Sequence, residues 1–352
     1  MQLKKECKAE KQVDSNHAGA YGQMSGPGIL RDPLWGTSIA LSAVEVELLR
    51  TTAVRRLHYV RHAGPASLHT QHTSTRLQHT LGVFACVSHF APDWPELRVA
   101  ALLHDVGHGP FSHALEGLEG FDHHRHSEKV LASEEIHRAL GGLNRQTVLD
   151  LIEGRVSSPL RNREGVLHAD HLDSWVRSAA AFGILPIPAS ELLSGFKLSG
   201  PHLEADIDTA AQILKLIVHE AYYHASADNI GPVAVLRALT QRLIDAGGLR
   251  GIEMGNLADE ELLAVLRRHP ATAEETYRLL YRPQELHVVR NGEARPAEAY
   301  RHRLNKLYLT LPRIQDAVNP AILPDYPKLE TLGRLLGEYH VFWEAGDIVE
   351  HH

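Results

Sequence analysis

Along most of the chain, apolar residues return at every third and fourth position, the repeat of a helix with one buried face. SAVEVELLRT, STRLQHTLGVFACVSHF and PELRVAALLHDVG, all between residues 42 and 107, each open on Ser or Pro. Such residues start helices, by capping free N–H groups or by a preset φ. The pattern predicts further helices over SEKVLASEEIHRAL, RQTVLDLIEG, GVLHADHLDSWVRSAAAFG, DIDTAAQILKLIVHEAYYH and GPVAVLRALTQRLIDAG, the last two parted by the breaker-rich ASADNIG. EELLAVLRRH and AEETYRLLYR continue it, and then ELHVVRNGEARP breaks the period with a candidate β-hairpin through Asn291-Gly292. The expected fold is all-α: a helical bundle over residues 27–250 and a mostly helical C-terminal subdomain over 251–352, with a short β-hairpin. Residues 1–26 are polar and Gly-rich without apolar periodicity and are expected to form a mobile lead-in.

Composition narrows the function more than the fold. With 43% hydrophobic and 22% charged residues, the chain of 352 residues has enough apolar material for a large core. No apolar run reaches the roughly 18 residues that a membrane helix needs, and MQLKKECKAEKQ lacks the apolar segment of a secretion signal, so a cytoplasmic location is the expectation. Two cysteines, Cys7 and Cys86, are too few for a Cys-rich zinc module, so any metal would rest on His and carboxylate. A net charge of -7 argues against duplex nucleic acid as a partner, while leaving room for a small anion held by a few arginines. Histidine is abundant, at 25 residues, so no single one counts as a ligand by itself.

Three segments nevertheless form a constellation. His79 lies in a helical pattern beside Leu81, Val83 and Phe84, where alone it would read as a core histidine. His104 and Asp105 close an apolar helix just before Gly107 and Gly109-Pro110. Adjacent helical side chains diverge by about 100°, so both reach one ion only if it sits between their directions. HADHLDSWVR adds His168, Asp170, His171 and Asp173; by spacing alone the later ligand could be any of the four. Imidazole with carboxylate suits Mn, Fe, Co, Ni, Zn or Mg, and four protein ligands on an octahedral ion leave positions for water and a phosphate oxygen.

DPLWG (Asp32 to Gly36), RRLHYVRHAG (Arg55 to Gly64), TRLQHTLG (Thr75 to Gly82), LLHDVGHGPFSH (Leu102 to His113) and ADHLDSW (Ala169 to Trp175) occur together and in this order. In these motifs the sequence resembles the HD superfamily of metal-dependent phosphohydrolases, and within it the deoxynucleoside triphosphate triphosphohydrolase group, over about residues 32 to 183. The resemblance implies His79, His104, Asp105 and Asp170 as ligands of one divalent metal ion. It places Arg76 against substrate phosphate, and His62, His171, Ser174 and Tyr223 around the substrate. It sets His108 and His113 beside the scissile group, with His126 and Glu116 as a proton-handling pair. It also implies a nucleotide substrate, cleaved from a dNTP to deoxynucleoside and triphosphate, and a homo-oligomer. The sugar-contacting Gln-Leu of that group is replaced by His62-Ala63, and its Tyr and Asp after the metal aspartate by Ser174 and Ser178. A nucleoside mono- or diphosphate hydrolase with altered sugar specificity is therefore the alternative. A non-catalytic nucleotide sensor, or a second metal held by the histidines between 108 and 126, are further readings.

Overall fold

A computed structural model of the chain describes residues 28–344, so the lead-in expected over 1–26 lies outside the described residues. The described chain opens on a β-hairpin, β1 (Ile29–Asp32) against β2 (Thr37–Ala40). Its turn is tied by Asp32 Oδ1, which accepts the N–H groups of Leu34 and Trp35 at 2.9 and 2.8 Å. Helices α1 (Ala43–Arg50) and α2 (Thr52–Arg56) follow, α1 begun by a Ser42–Glu45 capping box. A second such box, Thr75 with Gln78, starts α3 (Arg76–Phe90). Nearly every face of α3 is buried, which makes it the axis of the bundle: α4 (Pro95–Leu103) packs on one side of it.

The stretch read from SEKVLASEEIHRAL divides into α5 (His123–Leu131) and α6 (Glu134–Ala139), because Ser133 caps a new helix. Then come α7 (Arg145–Ile152) against α4, α8 (Ala169–Ala181) against α3, and α9 (Ala189–Ser194). A hairpin of β3 (Phe196–Ser199) and β4 (His202–Ala205) leads into α10 (Ile207–His224) and α11 (Ala227–Asp245). Helix α11 takes in most of the segment read as a break and carries Pro232 inside it. Packing explains this: a Cβ on Gly231 would stand 2.8 Å from Leu286 Cδ2, so the helix is pressed against the strand that follows. The chain closes with α12 (Gly251–Met254), α13 (Asp259–Arg268), α14 (Ala273–Tyr281), β5 (Leu286–Arg290), β6 (Tyr300–Leu304), β7 (Arg313–Ile314), α15 (Tyr326–Leu332) and β8 (Gly337–Trp343).

The all-α expectation holds only approximately, since three small sheets occur among the described residues. The hairpin through Asn291-Gly292 is a correction: β5 and β6 do not pair with each other but flank β8, each antiparallel to it. Residues 286–290 had no visible partner because theirs arrives about 50 residues later. The remaining sheet gains β7, parallel to β4.

Apolar side chains gather into two cores. The first joins Leu48, Phe84, Leu102, Leu151, Leu172 and Ile213. The second joins Leu236, Leu243, Leu262, Leu279 and Val341 with Phe111 and Leu115 from the turn after α4. That turn is thus shared between the two halves of the molecule. Tyr308, Leu309 and Leu311 return from the C-terminal third to pack on the first core.

Candidate metal centre

Three helices aim side chains at one point. His79 comes from α3, His104 and Asp105 from the end of α4, and Asp170 from the first turn of α8. The His79 and His104 Nε2 atoms stand 3.4 Å apart. Asp105 Oδ2 lies 3.6 and 3.4 Å from them, and Asp170 Oδ1 3.3 and 3.9 Å. Both rings are fixed from behind: His79 Nδ1 donates to Asp173 Oδ2 and His104 Nδ1 to the Ala101 carbonyl, each at 2.8 Å. With Nδ1 protonated, each neutral imidazole turns the lone pair of Nε2 inward. Two lone pairs and two carboxylates facing one another are repulsive until a cation lies between them, and the set therefore fits a divalent ion. The field of the site favours positive charge: burial alone would lower the His79 pKa, yet hydrogen bonds to Asp170 and Asp173 raise it to about 9, and the Nε2 proton held in this way is the one a bound cation would displace. Burial would raise Asp105, but Arg76 and the neighbouring imidazoles keep its carboxyl well below the usual range.

Of the four rivals on α8, Asp170 faces Nε2 of His79 while Asp173 takes Nδ1. His168 caps the helix, and His171 Nδ1 lies 2.9 Å from Thr310 Oγ1. Asp173 is fully buried and saturated: Trp35 Nε1 donates to Oδ1 at 2.7 Å, and Arg177 grips both oxygens at 2.8 and 2.9 Å. Burial opposes its charge, but Arg177 and His79 bring its pKa to about 2. The DPLWG turn therefore reaches the metal centre through Trp35 and Asp173. Gly82 leaves the room, since a Cβ there would fall 1.9 Å from Asp173 Oδ1.

The HDVGHGPFSH turn builds a second, adjoining cluster. Phe111 and Ser112 adopt left-handed φ values of 55 and 58°, which turn the chain sharply and set His113, itself exposed, beside His108. His108 Nε2 lies 3.2 Å from Asp105 Oδ1, and the His108 ring stacks on His123 at 4.4 Å and meets His113 edge-on at 4.5 Å. Burial, with the charge of Arg76, keeps His108 well below the ordinary histidine pKa; crowding and Arg76 lower His113 as well, although its side chain reaches solvent. Gly107 permits the approach of α5, because a Cβ on it would meet the His123 carbonyl at 2.2 Å.

The pairing of Glu116 with His126 is corrected by this geometry. Glu116 Oε2 holds His123 Nδ1 at 2.8 Å instead. His126 is about 4.5 Å further along the same helix; its ring lies near Phe121 and Gly255, outside the cluster. In the sequence His123 stood out only as one of the histidines between 108 and 126.

Arg76 is buried, giving Nη1 to Asp105 at 2.9 Å, Nε to Ser112 Oγ at 3.1 Å and Nη2 to the His62 carbonyl at 3.3 Å. The His62 ring stacks on His79 at 4.2 Å and reaches Ser174 Oγ through Nε2 at 3.2 Å. Tyr223 sits further out, its ring 6.2 Å from that of His72, which in turn lies 5.7 Å from His62. His72 was not anticipated; it is buried, and both its ring nitrogens lack a protein partner.

The helical bundle thus brings paired imidazoles and carboxylates to one point, two of them from the adjacent His104 and Asp105. The family model for the HD domain matches residues 76–217, and the chain accordingly contains an HD domain. Among its relatives, the metal-dependent phosphohydrolase cns2 of Cordyceps militaris is 30% identical over 165 residues, 45% of this chain and 46% of that protein. A deoxyguanosinetriphosphate triphosphohydrolase-like protein of Allorhizobium ampelinum is 34% identical over 135 residues, 34% of this chain and 32% of that one. The matched stretches thus span less than half of these relatives. A solved phosphohydrolase from Bacteroides thetaiotaomicron shares the fold, with a TM-score of 0.67 at 17% identity over 90% of this chain and 99% of that one. Among the described residues no helix is long and apolar enough to cross a membrane.

Proposed function

We propose that this chain is a metal-dependent phosphohydrolase acting on a nucleotide phosphoester, with cleavage of a dNTP to deoxynucleoside and triphosphate as the leading reaction. The observation that carries the reading is the convergence of His79, His104, Asp105 and Asp170 beside a histidine cluster and a buried arginine. When bound there, a divalent ion supplies a Lewis acid for a phosphoryl oxygen and lowers the pKa of water. Arg76, fixed by three partners, sets a positive charge next to the reacting phosphorus without needing to move. His113 and His123 stand 5.1 Å apart at ring centres, with His123 held by Glu116, as a donor needs in order to protonate a departing oxygen. Asp173 positions His79 and does not touch substrate.

The same histidines, His108, His113 and His123, could hold a second ion by distance. The Arg76 guanidinium bears on both His108 and His113 and opposes a second dication, which favours one metal per chain. A mono- or diphosphate substrate is the second reading, favoured by the stacking of His62 on His79 and its bond to Ser174, which narrow the side implied for the sugar.

The test is a screen of nucleoside tri-, di- and monophosphates, ribo and deoxy, with Mn, Co, Ni and Mg, resolving phosphate from triphosphate. Triphosphate release from dNTPs with one metal per chain is expected. Release of orthophosphate alone would shift the reading to the second substrate class, and no release from any nucleotide would remove it.

A further inference from the structure

The centre is not closed by the HD segment alone. Residues 305–311, between β6 and β7, run without helix across its mouth. This strap is pinned at its far end, where the Leu167 N–H donates to the Leu311 carbonyl at 2.9 Å and His171 Nδ1 meets Thr310 Oγ1 at 2.9 Å. Tyr308, between these anchors and the exposed end, sets its ring 5.1 Å from that of His171 and 6.3 Å from that of His224. Burial raises the Tyr308 hydroxyl pKa and Asp170 adds to this, against the lowering charges of Arg161 and Arg76.

The mouth has a direction. Asp170 is the most exposed of the four converging side chains, at 14% against 0, 5 and 7% for His79, His104 and Asp105. On that open side stands Arg161, its side chain 31% exposed and Nη2 3.3 Å from Asp170 Oδ2. Lys306 stands there too, with its ammonium 4.5 Å from the centre of the Tyr308 ring rather than on a carboxylate. The buried carboxylates are already matched, Asp105 by Arg76 and Asp173 by Arg177. Arg161, anchored on Asp170 and the Ile152 carbonyl but still partly exposed, thus lines the rim with Lys306 and Tyr308, and such groups suit the oxygens of phosphate.

We propose that Arg161, Lys306 and Tyr308 form an outer-phosphate subsite at the mouth of the metal centre, one wall of it supplied by the C-terminal strap. It takes the phosphates of an oligophosphate chain that lie beyond the one at the metal. This rests on the phosphohydrolase reading of the centre. It gives the C-terminal third a direct part in substrate recognition.

The test uses the full-length, metal-loaded protein and compares binding of inorganic tripolyphosphate and orthophosphate by titration calorimetry, a readout that needs no turnover. Lys306→Ala is expected to weaken tripolyphosphate about tenfold, the loss of one charge-assisted contact, with orthophosphate affinity and metal content unchanged. Lys306→Arg should retain most of the affinity, and Lys306→Ala with Tyr308→Phe should lose more than either substitution alone. Lys306 is exposed, so its replacement leaves the fold intact; thermal melts verify this. Equal tripolyphosphate affinity in wild type and Lys306→Ala, or no preference of the wild type for tripolyphosphate over orthophosphate, would overturn the subsite. Failure to hydrolyse any nucleotide, with this binding pattern present, would remove the enzymatic reading and leave the subsite standing.

Discussion

Asp105 is the most heavily used side chain of the centre. One oxygen faces the two imidazoles and Arg76, and the other faces His108. Asp105→Ala should therefore abolish both bound metal and phosphate release, read by elemental analysis and product assay, while circular dichroism stays helical. Full activity in a metal-free sample would end the metal mechanism. Asp173 makes a subtler case, since it acts only through His79. Gly82→Ala would push a methyl group into its carboxylate. Moving such a partner of a ligand typically costs about 10–100-fold in metal affinity. A metal titration of Gly82→Ala should show that loss, and unchanged affinity would mean that Asp173 does not orient the ligand.

At the scale of elements, the HDVGHGPFSH turn is held from outside the HD segment. Asp259, at the start of α13, accepts the N–H groups of Phe111 and Arg61 at 2.6 and 2.8 Å. Arg237 of α11 donates to the Ala114 and Glu116 carbonyls at 2.6 and 2.9 Å. Arg56 bridges the carbonyls of Val106, His108 and Leu257. Burial pushes the Asp259 pKa up to about 7, against the lowering hydrogen bonds and the charge of Arg61, with Glu260 adding to the rise. A carboxyl raised on folding stabilises most when protonated, so its contribution is complete below about pH 4 and is lost as pH rises through about 7. Between pH 5 and 8 the wild type should lose on the order of 2–3 kcal/mol through this group. Asp259→Asn removes that titration, so its unfolding free energy should fall less over the same range. Parallel pH curves for the two proteins would show that the group does not titrate there.

For the whole molecule, the two cores cannot be separated at a linker. Phe111 and Leu115 belong to the turn that carries His113, yet they are buried with α11, α13 and β8. A chain ending at Ser226 should expose them, lose the Asp259 and Arg237 contacts and aggregate on expression. A soluble, metal-binding product of that length would show that the turn stands without its C-terminal support. The same interdependence explains how residues 305–311, far along the chain, come to border the centre.

Much of this was legible from local pattern. The capping residues Ser42 and Thr75 start helices where the apolar repeat begins, and the run HDVGHGPFSH marks a sharp polar turn after an apolar helix, because caps, periodicity and breakers act over a few residues. Partner choice was not legible. Which carboxylate of α8 faces the metal point depends on the side of the His79 ring it meets, across 94 residues to Asp173. Glu116 takes His123 rather than His126 because of how α5 docks on Gly107. β5 waits for β8, and Thr310 meets His171 from 139 residues away. The sequence by itself determined the helices, the turn and the stock of ligating side chains. Only tertiary packing decided which of them face one another, since that is set by contacts between elements that no short-range pattern encodes.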